Sequence, residues 1–290
     1  MHHETVIKSL TASVLKVSES DVRLDFRLMG GMSNYTYVIS AKDERYTFRI
    51  PGKNADRFVD RHIEKHHLQL IEPLKLNNET VYLNEESGIK IAHYIEGTPL
   101  HEKDPMDFLE AATDVLKTVH ESGLSSPYAY APFERLARYE SYVKDYSHVH
   151  HPRYHEYKDV LLSHRAFLDQ FPKVLTHGDA QVSNFVVTDD ALRLMDWEFT
   201  GMNDPFYDLA CFGNANFDHA LAILPVYLGK TPTDEDFNRL FLWRIFQCLQ
   251  WHNVALYKDF IGLSQDLNID FYKVSNLYLD KAEALIKQLR

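Results

Sequence analysis

Asp179 and Asn184 stand five residues apart in His177-Gly-Asp179-Ala-Gln-Val-Ser-Asn184, and a second carboxylate follows in Leu194-Met-Asp196-Trp-Glu198. In that order they are the parts of a phosphotransfer centre. One carboxylate can orient a hydroxyl, while an amide and a second carboxylate hold magnesium against a nucleoside triphosphate. Taken singly, each residue has an ordinary structural role, because buried Asp and Asn cap turns and a histidine bonds a backbone carbonyl. The five-residue interval, the short hairpin after it and the Asp behind Leu194-Met195 make the combination specific.

The surrounding elements must place those side chains. Residues 4–16 carry Val6, Ile7, Leu10, Val14 and Leu15 at helical spacing. Strand patterns run from Val22 to Met29, Tyr35 to Ser40 and Arg45 to Ile50, which predicts a small antiparallel sheet ended by Pro51-Gly52. A helix over 58–71 puts Arg61, Glu64 and Leu68 on related faces, and strands near 80–83 and 89–94 complete five. Glu96-Gly97-Thr-Pro99 then marks a boundary, giving a nucleotide-binding lobe over 1–96 and a helical lobe over 97–290. Helices are predicted at 104–121, 133–145, 154–170, 205–216, 233–260 and 269–288, interrupted only by short β segments at 174–175, 185–188 and 192–195. The candidate catalytic residues therefore fall on loops at strand ends.

Composition narrows the partners. A formal net charge of -11 argues against a nucleic-acid binder, which needs clustered Lys and Arg, and suits a cationic small substrate. The N-terminus lacks a secretory pattern, and the apolar run 220–228, interrupted by Pro225, is too short for a bilayer. A soluble cytoplasmic protein without membrane or nucleic-acid partners is expected, as a monomer or homodimer. Cys211 and Cys248 sit among apolar neighbours without a CxxC pairing and read as reduced core residues. His148, His150, His151 and His155 have no companion Cys or acid at ligand spacing, so no zinc site is expected.

Over nearly its whole length the chain resembles the choline/ethanolamine kinases of the aminoglycoside phosphotransferase-like superfamily, whose bacterial choline kinases are the nearest type. The motifs carrying the resemblance are the catalytic loop, Gly30-Gly-Met-Ser33-Asn34, Tyr46-Thr-Phe-Arg49, Arg61-His-Ile-Glu64, Asp196-Trp-Glu198-Phe, Met202-Asn-Asp204-Pro and Asp208-Leu-Ala. It implies an α+β, protein-kinase-like two-lobed fold with a small antiparallel β-rich N-lobe and a mainly helical C-lobe. It also implies ATP and Mg2+ as cofactors and phosphoryl transfer to a hydroxyl of choline or a related amino alcohol.

By that resemblance Asp179 is the catalytic base, and Asn184 and Asp196 hold the metal. Gly30, Gly31, Ser33, Asn34 and Arg49 hold phosphates, Glu64 braces Arg49, and His93 and Ile95 offer backbone contacts to adenine. Gln181, Glu198, Trp251 and Tyr257 are assigned to the acceptor. Physical reasons support parts of this. Glycines let backbone N–H groups approach phosphate, a guanidinium can fork across phosphate oxygens, and aromatic rings hold quaternary ammonium. Asp208 would brace the catalytic loop, and Asp204-Pro205 would start a helix.

Two positions depart from the family pattern: Val254 stands at the second tryptophan, and Asn214-Ala-Asn216 lacks the expected acid. Thiamine, an aminoglycoside or a sugar thus stay open as acceptors, beside a non-catalytic nucleotide-binding regulator. The stretch after Asp196 is too short for an activation segment, which excludes a protein substrate.

Overall fold

The computed structural model describes residues 2–28 and 34–290. Its chain divides into two compact units, one of residues 1–103 with 183–200, the other of residues 104–182 with 201–290. The division differs from a single cut after Glu96. Thr98–Pro99 pairs with Val186 and Val187 in a small sheet, so the hairpin carrying Asn184 and Asp196 joins the first unit.

The first unit opens with helix α1 (His2–Leu15), then strands β1 (Arg23–Leu28), β2 (Asn34–Ala41) and β3 (Glu44–Pro51). Helix α2 (Arg61–Leu70) and strands β4 (Thr80–Leu83) and β5 (Lys90–His93) follow. The sheet order is β1-β2-β3-β5-β4, antiparallel throughout. Alternation along β3 sorts its side chains by face. Tyr46 and Phe48 join Ile7, Ile39 and Ile91 in the core, whereas Arg49 takes the other face with Lys90, its register partner. Asp60 caps α2 by accepting from His62 and Ile63 N–H at 3.0 and 3.2 Å, and the helix sets Arg61 and Glu64 one turn apart.

The second unit is helical around a two-stranded ladder, Val174–Thr176 with Gly201–Asn203. Gly201 lets the backbones approach closely, since a Cβ there would lie 2.7 Å from the Tyr130 nitrogen. The long helix Asp234–Phe260 begins with a capping box of Thr233 and Asp236 and is buried almost continuously from Leu240 to Lys258.

Several elements differ from expectation. The single helix over 154–170 is broken at His164, where the Ser163 hydroxyl and the His164 ring both bond the Val160 carbonyl. A helix, Asp218–Leu228, occupies the run that Pro225 had marked as interrupted. That proline lies in its last turn, where the Gly229 N–H (φ +63°) closes on the Pro225 carbonyl at 2.9 Å. Short strands at Thr98–Pro99 and Gly201–Asn203 have too few residues to show a period. No helix of the described residues is long and apolar enough to cross a membrane.

Candidate active site

In the second unit a tight turn presents Asp179. Gly178 takes φ +81°, and the Asp208 carboxylate accepts from the N–H groups of His177 (2.7 Å) and Gly178 (2.9 Å). Asp208 is fully buried, and His120 contacts it at 3.1 Å from the helix Leu109–His120. His177 is buried too; its Nδ1 accepts from the Asp179 N–H at 3.2 Å, which fixes the ring proton on Nε2. Both residues shape the loop. Asp208→Asn should therefore destabilise the chain by about 2–3 kcal/mol, because an amide cannot accept at both of its ends. Urea unfolding measures this, and kcat should fall more than KM changes.

Gln181 joins Asp179, donating to its Oδ2 at 3.0 Å. Asn214 in turn donates to the Gln181 oxygen at 2.8 Å, and Arg244 donates to the Asn214 side-chain oxygen at 2.8 Å. Trp251, half-buried, lies four residues after Gln247 and seven after Arg244, on the same face of the long helix. Tyr257 does not share it. Six residues turn it about 240° from Trp251, and it is buried against Tyr142 and Tyr146 at centroid distances of 5.8 and 6.0 Å. The expected pairing of these two aromatics in one acceptor wall is thus not what the helix makes.

In the first unit the ends of the hairpin bring Asn184 and Asp196 together. Phe185 pairs with Leu194, and the Met195 N–H donates to the Asn184 carbonyl at 2.8 Å. Buried Trp197 anchors the turn by donating to the Leu194 carbonyl at 2.7 Å. Asp196 adopts φ +68°, a conformation that short polar residues tolerate best. Withdrawal from water and then the Glu198 carboxylate push its pKa up to about 7, although the side chain keeps 41% exposure. One accessible carboxylate and one amide form a hard-oxygen pair that fits a partly hydrated Mg2+ completed by substrate phosphates. Among the described residues no group of three or more His, Cys, Asp or Glu is gathered into a protein-only cage.

Beside that hairpin is a buried charge network. Arg49 forks onto Glu64 at 2.6 and 2.8 Å and donates to the Gly88 carbonyl at 3.2 Å. Arg61 bridges Glu64 (2.7 Å) and Glu198 (2.8 Å), and Lys90 lies 3.8 Å from Glu64. Asn34 donates to Glu198 at 3.2 Å, while Arg49 stands 3.5 Å from Glu198 and 4.0 Å from Asp196. Glu198, expected among the acceptor residues, is instead held by these cations. Burial alone would raise the Glu64 pKa, but Arg49, Lys90 and Arg61 hold it well below the ordinary 4.5.

That pair contributes stability fully present above the unfolded carboxylate pKa and lost as pH falls below it. Glu64→Gln should cost about 3–5 kcal/mol, because it leaves buried cations undercompensated. Denaturant midpoints at pH 7 and pH 3 check the sign, as the gap between wild type and variant should narrow in acid.

Gly30, Gly31 and Ser33 lie outside the described residues. His93 is less available to adenine than expected: its N–H donates to the Glu79 carbonyl at 2.9 Å and its carbonyl accepts from Asn78 at 2.9 Å. Ile95 lies two residues beyond β5, outside any regular element. Of the histidines at 148–155, buried His150 stacks on Tyr154 at 4.3 Å and bonds Asn253 at 2.7 Å, while exposed His151 caps the helix Pro152–Ser163 by accepting from the Arg153 N–H at 3.2 Å.

Lys90 and Arg244 carry no role in the sequence reading, and Asn214 entered it only as part of a segment lacking an acid. Lys90 between Ile89 and Ile91, and Arg244 within Leu240-Phe-Leu-Trp-Arg-Ile-Phe, are lone charges in apolar runs. A lone charge there is a legible signal, because burying it demands a reason.

The profile of the phosphotransferase enzyme family matches residues 27–228. Protein LicA of Haemophilus influenzae is 23% identical over 197 residues, covering 64% of this chain, and the chain spans 57% of that relative. The crystal structure of choline kinase LicA from Streptococcus pneumoniae superposes with a TM-score of 0.79 at 25% identity, covering 97% of this chain and 99% of the other. A structure of LicA in complex with AMP gives a TM-score of 0.80 at 24% identity, with 100% of both chains covered.

Proposed function

The chain belongs to the phosphotransferase enzyme family, and from that premise we propose that it transfers the γ-phosphoryl group of ATP to a hydroxyl of choline or a related amino alcohol. The observation that carries this reading is the braced Asp179 turn, five residues before an Asn184 whose carbonyl is tied to the strand end bearing Asp196. Similarity to a choline kinase and to an AMP complex supports the choice of acceptor and nucleotide.

In the proposed reaction the acceptor oxygen attacks the γ-phosphorus in line. The bond from that phosphorus to the β–γ bridging oxygen breaks, the hydroxyl proton passes to Asp179, and ADP leaves. Because the transition state is loose, Asp179 acts chiefly by aiming the oxygen, and Gln181 fixes the direction of its carboxylate. Asn184 and Asp196 would hold Mg2+, which when bound neutralises charge on the phosphates. Arg49, oriented by Glu64, and Asn34, oriented by Glu198, would face the nucleotide phosphates. Ile95 would supply the backbone contact to adenine, and Trp251 the aromatic surface for the acceptor.

The test is ADP release from Mg-ATP with choline, ethanolamine, thiamine, aminoglycosides or simple sugars. Release dependent on choline or ethanolamine supports the proposal. Release with only another acceptor redirects it, and nucleotide binding without turnover overturns it.

A further inference from the structure

Arg244 is buried, with 2% of its surface exposed, yet it faces only neutral oxygens. Its donors reach Gln247 Oε1 at 2.9 Å, Asn214 Oδ1 at 2.8 Å and the Asn214 carbonyl at 3.2 Å. Lys281, an exposed residue of the last helix, Phe271–Ile286, donates to that same Asn214 carbonyl at 3.2 Å. Two cations therefore converge on one oxygen, and among the described residues neither has a carboxylate within 4.0 Å.

Such an arrangement is costly without a counter-ion. Burial withdraws hydration from the guanidinium, and the two like charges repel. Arg–carboxylate pairs have the fork geometry that would relieve this. The cationic pair is also wired to the reaction centre. Asn214 holds Gln181 at 2.8 Å, and Gln181 holds Asp179 at 3.0 Å. Asn214-Ala-Asn216, beside the two cations, offers no carboxylate.

We propose that Arg244 and Lys281 receive an anionic group of the acceptor, so that the preferred substrate is an amino alcohol carrying a carboxylate as well as the phosphorylated hydroxyl. This rests on the kinase reading above and specifies its acceptor. Lys281 forms the solvent-facing edge of the subsite and Arg244 its buried end.

Matched acceptors isolate the carboxylate: L-serine against ethanolamine, and L-carnitine against choline, each with the full chain and Mg-ATP. The acidic member of at least one pair should show kcat/KM higher by at least about tenfold. Lys281→Gln, at an exposed position, should shrink that ratio several-fold, and Arg244→Gln should shrink it further, with thermal midpoints reporting folding. Equal or greater kcat/KM for the members lacking a carboxylate, ethanolamine and choline, overturns the inference and leaves the kinase reading standing. A preference that survives Lys281→Gln and a folded Arg244→Gln overturns the assignment to these two residues. Absence of ADP release with every hydroxyl acceptor overturns both readings together.

Discussion

Asp179→Asn should lower kcat at least about a hundredfold while leaving the chain folded, the range expected when a positioned acid–base group is removed. The substitution is nearly isosteric, and an asparagine oxygen can still accept from Gln181, which now contacts Asp179 at 3.0 Å. The turn itself depends on Asp208 and on the Gly178 conformation, neither of which is touched. What disappears is the carboxylate proposed to accept the hydroxyl proton and aim its oxygen. KM for ATP should hardly move. Steady-state kinetics with circular dichroism on the same sample decide the matter, and wild-type turnover by a folded variant would sink the assignment of Asp179.

Asp196→Asn should also reduce turnover at least about a hundredfold, with a different signature. Asparagine tolerates the left-handed conformation found at this residue, φ +68°, so the backbone is preserved. Neutralising the side chain removes its repulsion with Glu198, the carboxylate that helps push Asp196 up to about 7. The thermal midpoint should therefore stay level or rise. The magnesium concentration needed for half-maximal rate should rise, because an amide is a weaker ligand for a hard cation than a carboxylate. Measuring rate against magnesium at saturating ATP separates this from Asp179→Asn, which should leave the magnesium dependence unchanged. Stability falling together with activity would instead mark Asp196 as a structural residue.

The candidate catalytic residues were legible as candidates because they are local in the chain. Asp179, Gln181 and Asn184 lie within one loop, and Asp196 is one hairpin away, so spacing alone implies their order. The forked pair of Arg49 and Glu64 was implied by the family resemblance rather than by any local period, since the two residues lie on a strand and a separate helix. An antiparallel sheet followed by helices was equally readable, since periods of two and of 3.6 residues persist over many residues.

Tertiary structure decided what depends on partners distant in sequence. Glu198 meets Arg61 across 137 positions, and Gln181 meets Asn214 across 33, pairings that no local period encodes. The backbone of His93 is engaged by Glu79 and Asn78 because β5 and its neighbouring loop fold onto one another, which composition does not reveal. Tyr257 and Trp251 look alike on paper, but helix geometry and burial turn them to different faces. The sequence by itself determined which groups are available for phosphoryl transfer, since reactivity belongs to side-chain type and short spacing. Only the fold decided the electrostatic sign of their surroundings, because field and desolvation are set by whatever else is buried alongside. Around Asp196 those neighbours are Glu198, Arg49 and Lys90, and beside Asn214 they are Arg244 and Lys281.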